Sequence, residues 1–234
     1  MITFAKLGQY GRLGNCQFQM AATIATALKN NDDYIFPHFQ YEHDLNEKKY
    51  SNNIKYNKTF EELDFTYHGI PYQKNLNLHG YFQSYKYFQD FPIINDLVSP
   101  KYKFDKINAT SIHVRRTDYL THKDCYTLLD HNYYNKAMEI CNDNLYYIFS
   151  DDINYCKSIF KGNNFEFIYN DNPAIDQAMM LSCNNNIIAN SSFSWWAAWL
   201  NKNQNKKVIA PINWFGPKLP LSTKDLIPEN WIKI

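Results

Sequence analysis

Ser111-Ile-His-Val-Arg-Arg-Thr-Asp118 is the stretch on which the reading of this chain turns. Ser111 to Val114 is a short run suited to a buried strand, and two arginines and an aspartate stand at its exit. Arginine is always charged and presents a rigid fork that matches phosphate oxygens two at a time. A carboxylate three residues after Arg115 can hold that fork in place. The pattern fits a diphosphate site, with a nucleotide-sugar as the simplest ligand; it also fits a surface ion pair at a strand end.

Outward from this stretch the pattern is regular. Strands are predicted at 110–114, 145–149, 165–169, 186–189 and 207–210, with helices at 131–142, 153–160, 174–183 and 193–202. Such alternation implies a parallel sheet with right-handed crossovers. Towards the N-terminus, residues 2–8 predict a strand, Gln9-Tyr-Gly-Arg-Leu-Gly-Asn15 a glycine turn, and Phe18, Ala21, Ala22, Ala25 and Leu28 one face of a helix. Strand, turn and helix in that order open a nucleotide-binding α/β unit, although the spacing is not the GxGxxG fingerprint. Residues 40–62 show no period and read as a mobile connection or an acceptor-side loop. His79 to Phe88 is an aromatic patch that suits a packed strand and turn. The segment from Val98 to Asn108, containing Pro100, is the expected boundary between an N-terminal lobe, 1–105, and a C-terminal lobe, 106–234.

In a parallel sheet, ligands bind beyond the carboxyl ends of the strands. Arg115, Arg116 and Asp118 follow the first strand of the C-terminal lobe, and Ser150, Asp151 and Asp152 follow the second. Asn190, Ser191 and Ser192 precede the Trp-rich helix. Ser191 or Ser192 suits its N-cap, where aligned amides favour an anion. Trp195, Trp196, Trp199 and Leu200 read as core. Asp151 and Asp152 resemble the DxD pair of metal-dependent transferases, yet Asp152 also suits a helix cap, and the arginine pair neutralises a diphosphate without a cation. Asp176 suits capping of its helix or pairing with a nucleobase edge. His113 is either a satisfied core histidine or a ligand group.

Bulk properties bound the function. Twenty-four Lys and Arg against 23 Asp and Glu give a net charge of +1, which offers no basic excess for nucleic acid. Five scattered cysteines without CxxC spacing suit a reducing compartment and no structural zinc. No run approaches the roughly 20 apolar residues of a membrane span. A cytoplasmic location, with room for peripheral membrane association, is expected.

Several segments together resemble the α-1,2-fucosyltransferases of glycosyltransferase family 11. They are Gly11-Arg-Leu-Gly-Asn15, Gly80-Tyr-Phe-Gln-Ser84, His113 to Tyr119, Phe149-Ser-Asp-Asp152, Ile187 to Leu200, and Val208-Ile-Ala-Pro211 with Trp214-Phe215. Three departures stand out: Cys16 follows Asn15 where the family usually has Gln, Thr117 precedes Asp118 where Gly is usual, and the chain is short for the family. His113-Val-Arg-Arg-Thr-Asp118 instead looks like the matching motif of α-1,6-fucosyltransferases.

The resemblance implies a GT-B-like α/β fold. It would have two Rossmann-like lobes with parallel sheets, the N-terminal one reduced and acceptor-side, the C-terminal one binding the GDP-sugar. It further implies inverting, metal-independent transfer of L-fucose from GDP-fucose to the 2-hydroxyl of a terminal galactoside, with no cofactor. By similarity, Arg115 holds the β-phosphate and Asp118 orients it, while Asn15 sits near the reacting centre at the cleft between lobes. Ser191, Ser192 and Phe193 line the phosphates and ribose, and His113 and Asp176 read the guanosine. Arg116, Asp151, Arg12 and Gly14 complete the expected donor-binding set. Asp118, Asp151 and an acid in the N-terminal half are the candidates for the general base. The alternatives are another linkage or another nucleotide-sugar and, in a different class, a non-catalytic glycan- or nucleotide-binding module.

Overall fold

The helix predicted behind the glycine turn is the longest element, α1 (Leu13–Lys29), in a computed structural model that describes residues 1–234. Its face is wider than the spacing suggested. Every residue from Leu13 to Ala27 except Asn15 is buried, whereas Leu28 is 37% exposed. A helix covered on all sides must satisfy its polar side chains internally. Gln17 Nε2 donates to the Val98 carbonyl at 2.9 Å, Thr23 Oγ1 to Gln19 O at 2.7 Å, and Thr26 Oγ1 to Ala22 O at 2.7 Å.

This helix belongs to the first of two compact units, Met1–Lys101 with Ser222–Pro228. Its sheet contains β1 (Ile2–Thr3), β2 (Tyr34–Ile35), β3 (Lys58–Glu61) and β4 (Leu76–His79), parallel and in the order β2-β1-β4-β3. The predicted strand at 2–8 ends at Thr3, after which tight turns begin with Leu7 N–H bonded to Phe4 O. β3 lies inside the stretch 40–62 expected to be a mobile connection or an acceptor-side loop; as an edge strand with exposed ends it needs no apolar alternation. In the aromatic patch, Phe82, Tyr85 and Phe88 are buried core, as a packed strand end and turn require. α2 (Ile93–Val98) completes the unit.

The second unit is Tyr102–Leu221 with Glu229–Ile234. Its strands are β5 (Ile107–Val114), β6 (Tyr146–Ser150), β7 (Phe165–Ile168), β8 (Cys183–Ile187), β9 (Val208–Ala210) and β10 (Ile232–Lys233). They run in the order β10-β9-β8-β5-β6-β7, all parallel. Between them lie α3 (Thr117–Thr121), α4 (His131–Cys141), α5 (Ile153–Ile159), α6 (Pro173–Leu181) and α7 (Ser192–Leu200). Two parallel α/β units with four and six strands constitute the GT-B-like class expected, with the smaller sheet in the N-terminal unit.

Helix starts follow side-chain caps. Asp130 accepts from Tyr133 N–H, Asp152 from Tyr155 N–H and Ser191 from Phe193 N–H. Asp176 does not cap its helix; Asn172 does, ahead of Pro173, and accepts from Ala174 N–H at 2.8 Å. β8 starts three residues before the prediction because Asn184, Asn185 and Asn186 are strand residues whose amides bond laterally. Asn184 Nδ2 donates to Asn108 Oδ1 at 2.7 Å, Asn185 Nδ2 to Asp143 Oδ2 at 3.0 Å, and buried Asn186 Nδ2 to Ser111 Oγ at 2.8 Å.

The division falls after Lys101, inside the Val98–Asn108 segment and four residues before the expected cut at 105/106. The second lobe does not run unbroken to residue 234, because Ser222–Pro228 packs with the first unit. The reason is Asp225, 3% exposed, which accepts from Tyr67 N–H at 2.9 Å and Lys86 Nζ at 2.5 Å. All five cysteines are free, and no helix is long and apolar enough to cross a membrane.

Trp195 is fully buried, with its ring stacked on Trp199 at 5.2 Å and tilted against Trp231 at 5.4 Å. Trp195→Ala is therefore expected to lower stability by about 3–5 kcal/mol, the usual cost of emptying an aromatic core site. Urea unfolding followed by circular dichroism measures it.

Candidate active site

The strand order of the second unit creates a switch point. From β5 the chain proceeds outward through β6 and β7, then returns to β8 on the other flank and proceeds through β9 and β10. Connections from adjacent β5 and β8 therefore leave in opposite directions, opening a crevice at their carboxyl ends. Parallel register pairs Val114 with Ser150, so the residues that follow, Arg115 and Asp151, stand side by side.

Arg115 is held by two carboxylates. Its Nη2 lies 2.6 Å from Asp118 Oδ2 and its Nη1 3.0 Å from Asp151 Oδ2, with the side chain 13% exposed. Asp151 also gathers the backbone that follows, accepting from Arg116 N–H at 2.9 Å, Thr117 N–H at 3.2 Å and the Thr117 hydroxyl at 2.5 Å. Burial pushes the Asp151 carboxyl up, but the Thr117 hydroxyl, Arg115 and Arg116 N–H outweigh it, leaving its pKa below the usual value. Arg116 stacks 3.7 Å above the Tyr155 ring, and its Nε lies 3.2 Å from Asp152 Oδ2. Both carboxylates of the DxD-like pair are thus engaged by arginines and backbone amides.

The β8 side is tied to the same turn. Tyr119 donates its hydroxyl to Asn190 O at 2.8 Å, and His113 Nδ1 lies 2.9 Å from Ser194 Oγ in the first turn of α7. The His113 ring packs on Phe193 at 5.4 Å. Asn190 Nδ2 donates to Thr127 O and Trp214 O at 2.9 and 2.7 Å, which fixes the approach to the helix. Burial, reinforced by Arg115 and opposed by Asp151, lowers the His113 pKa to about 3, so its imidazole is neutral. Next to α7, Gln177 Nε2 donates to Phe193 O at 3.0 Å, which brings the first turn of α6 alongside. There Asp176 accepts from Asn170 Nδ2 at 2.6 Å, and burial, opposed by Asn170, raises its pKa to about 6.

His113, Arg115, Arg116, Asp118, Asp151, Ser191, Ser192 and Phe193 therefore gather around the β5 and β8 edges, with Asp176 beside Gln177. Asn190, expected at the carboxyl edge of the sheet, completes the scaffold with Tyr119 and Ser194, which lie inside the quoted motifs without a role read from the sequence. Thr117, standing where the resembling family usually has glycine, adds a hydroxyl that Asp151 accepts.

Arg12, Gly14 and Asn15 belong to the first unit. Its own switch point lies between β1 and β4, whose trailing loops meet at the start of α1. Gln83 Nε2 donates to Asn15 Oδ1 at 2.8 Å. Gly11, at φ +79°, lies so close beneath that a Cβ there would sit 2.0 Å from Asn15 Nδ2. Gly14 is buried in the first turn, Arg12 occupies the N-cap position without a side-chain cap bond, and Asn15 is half-buried. Cys16 is fully buried and its thiol is pushed up to about 12 by burial, so it acts as a small apolar filler. Gln83 lies inside the quoted Gly80–Ser84 motif without a role read from the sequence, and Glu62, which accepts from Tyr81 N–H and Phe82 N–H, lies in the stretch without a period.

The family described as Glycosyl transferase family 11 matches residues 5–234. Two Escherichia coli proteins are similar in sequence. The O-antigen biosynthesis glycosyltransferase WbnK is 34% identical over 154 residues, covering 61% of this chain and 50% of that protein. An alpha-1,2-colitosyltransferase is 33% identical over 178 residues, covering 66% of this chain and 61% of that protein. The match thus spans less than two thirds of either relative's length.

Neutral, buried His113 sets an acid limit on stability. Its pKa is about 3 in the fold against an ordinary value near 6.5, so the unfolded chain binds the extra proton between those pH values. Stability must fall as pH drops through that window, by about 2 kcal/mol between pH 7 and pH 5 from this group. Urea midpoints at the two pH values should differ by correspondingly less in His113→Gln.

Proposed function

The chain belongs to glycosyl transferase family 11, and from that premise we propose that it is an inverting fucosyltransferase, moving L-fucose from GDP-fucose to the 2-hydroxyl of a terminal galactoside on a glycan. The observation that carries this reading is the guanidinium of Arg115, fixed between Asp118 and Asp151 at the switch point of a parallel sheet. In this reading the acceptor oxygen forms a bond to the anomeric carbon as the bond from that carbon to the diphosphate breaks. The acceptor hydroxyl passes its proton to a carboxylate acting as general base, for which Asp118, Asp151 and an acid of the N-terminal half are the candidates, and the bonding pair leaves with the diphosphate. Negative charge grows on the phosphate oxygens, where a preorganised fork and the amino end of α7 stabilise it most in the transition state.

Roles follow from position. Arg115 binds the β-phosphate; Asp118 and Asp151 orient it. Arg116, Ser191, Ser192 and the α7 amides take the remaining phosphate and ribose oxygens, with Phe193 against the ribose. Asp176, ionised at neutral pH, accepts from the guanine N–H edge, and His113 contributes a neutral ring beside it. The reading calls on no divalent cation or cofactor: the N–H donors that Arg115 and Arg116 keep beyond their carboxylate pairs, with the α7 amides, meet the phosphate oxygens. Arg12 and Gly14 complete the donor-binding set, and Asn15 serves the reacting centre. A cytoplasmic site of action suits the five free cysteines.

A second reading keeps the α-1,2 linkage and changes the sugar. It is favoured by the likeness to an alpha-1,2-colitosyltransferase. The likeness to an O-antigen biosynthesis enzyme supports a cell-surface polysaccharide precursor as the acceptor under either reading.

Arg115→Lys keeps the charge but removes the fork, and transfer is expected to fall about 10²–10³-fold, or roughly 3–4 kcal/mol. The assay is GDP release from GDP-fucose with lactose, alongside a far-ultraviolet spectrum. Full activity in a folded variant would overturn the role of Arg115. GDP binding by wild type without transfer from any GDP-sugar would instead mark a non-catalytic binding module.

A further inference from the structure

The loop after β4 holds a conformation that its own sequence does not favour. Phe82 is fully buried yet has φ +53°, a left-handed value that a bulky residue adopts only when its surroundings impose it. Glu62, directly after β3, supplies the constraint. Its Oε2 accepts from Tyr81 N–H at 2.6 Å and its Oε1 from Phe82 N–H at 2.8 Å, so one carboxylate grips two successive amides. Gly80 makes room for the grip: at φ +151°, a Cβ there would fall 2.3 Å from Glu62 Cβ and 2.6 Å from Oε2. Gln19 Nε2 secures the other side, donating to Gly80 O at 3.2 Å. The next residue is Gln83, whose amide holds Asn15.

We propose that Glu62 is a positioning residue for Asn15, fixing the Gly80–Gln83 turn so that the Gln83 amide holds the Asn15 side chain in one orientation. The consequence for catalysis rests on the function proposed above, in which Asn15 serves the reacting centre.

Only the deprotonated carboxylate presents two full acceptors to Tyr81 and Phe82; the acid form gives one of them up. Burial raises the Glu62 pKa to about 7, with the Tyr81 and Phe82 amides opposing. Asp64 raises it and His68 lowers it from the loop that follows, and the Tyr87 phenol faces it from the turn at 85–87. The turn therefore slackens as pH falls through about 7, and the hold on Asn15 with it.

The test uses the full chain labelled with nitrogen-15 and follows the side-chain amide resonances of Asn15 and Gln83 from pH 6 to 8, in wild type and Glu62→Gln. Wild-type resonances should titrate with a midpoint near 7, and those of E62Q should stay near the wild-type low-pH position. In parallel, kcat for transfer from GDP-fucose should fall about 100-fold in E62Q, as for a displaced catalytic group, with KM for the donor little changed. Its rate should lose the wild-type decline below pH 7. Unchanged resonances and rate in E62Q, or a pH response that survives the substitution, overturn the assignment. If wild type transfers no sugar from any GDP-donor, the proposed function fails, yet the amide titration still decides the role of Glu62. If E62Q does not fold, the wild-type titration decides alone, and a midpoint absent between pH 6 and 8 counts against it.

Discussion

One guanidinium shared between two carboxylates organises the second unit. Arg115 has five N–H donors; its Nη2 donates to Asp118 and its Nη1 is ion-paired with Asp151, so its fork is immobilised without being used up. The arrangement depends on register. Because Val114 pairs with Ser150, a shift of one residue between β5 and β6 would carry Asp151 away from Arg115 and turn its side chain to the opposite face. Strand order, register and the charge at the strand exits are thus one constraint seen at three scales.

The first unit solves a similar problem with backbone rather than ion pairs. Two loops reach the same edge, one kept close by Gly11 and the other bent at Gly80 and Phe82; an amide–amide bond from Gln83 to Asn15 ties the second loop to the start of α1, and Gln19 bridges Tyr10 O and Gly80 O. α1 can carry this joint because its glutamines and threonines are bonded inside the unit. The buried bonds of Gln17, Thr23 and Thr26 resist displacement, since separating them would leave polar groups without water or partner.

Much of the second unit was legible because parallel strands covered on both faces read as apolar runs, and capping residues mark where the helices begin. β6, β7, β9, α4 and α5 all fall within two residues of their expected bounds. Legibility failed where polar side chains are satisfied laterally. Cys183-Asn-Asn-Asn-Ile187 resembles a loop until its amides are seen bonding to β5 and its neighbours, and β3 is a polar edge. Asp176 looked like a cap, yet Asn172 and Pro173 set the start of α6 one residue before the predicted bound. The arginine cluster was readable because its members lie within a few residues of strand ends. The pairing of Gln83 with Asn15, 68 residues apart, and the grip of Glu62 on residues 81 and 82 were not, since no local spacing encodes a contact made by two loops that meet only after the sheet forms.

The return of Ser222–Pro228 to the first unit has a bearing on biosynthesis. Asp225 is bonded to Tyr67 and Lys86, 158 and 139 residues earlier in the chain. While the ribosome is still making the intervening sheet, the N-terminal unit lacks a buried anion that its native state requires. Domains emerging from the ribosome ordinarily finish folding in order of synthesis. Here the first to emerge cannot finish until the second is almost complete, so a nascent chain stalled before residue 225 would expose an unfinished unit to chaperones and proteases.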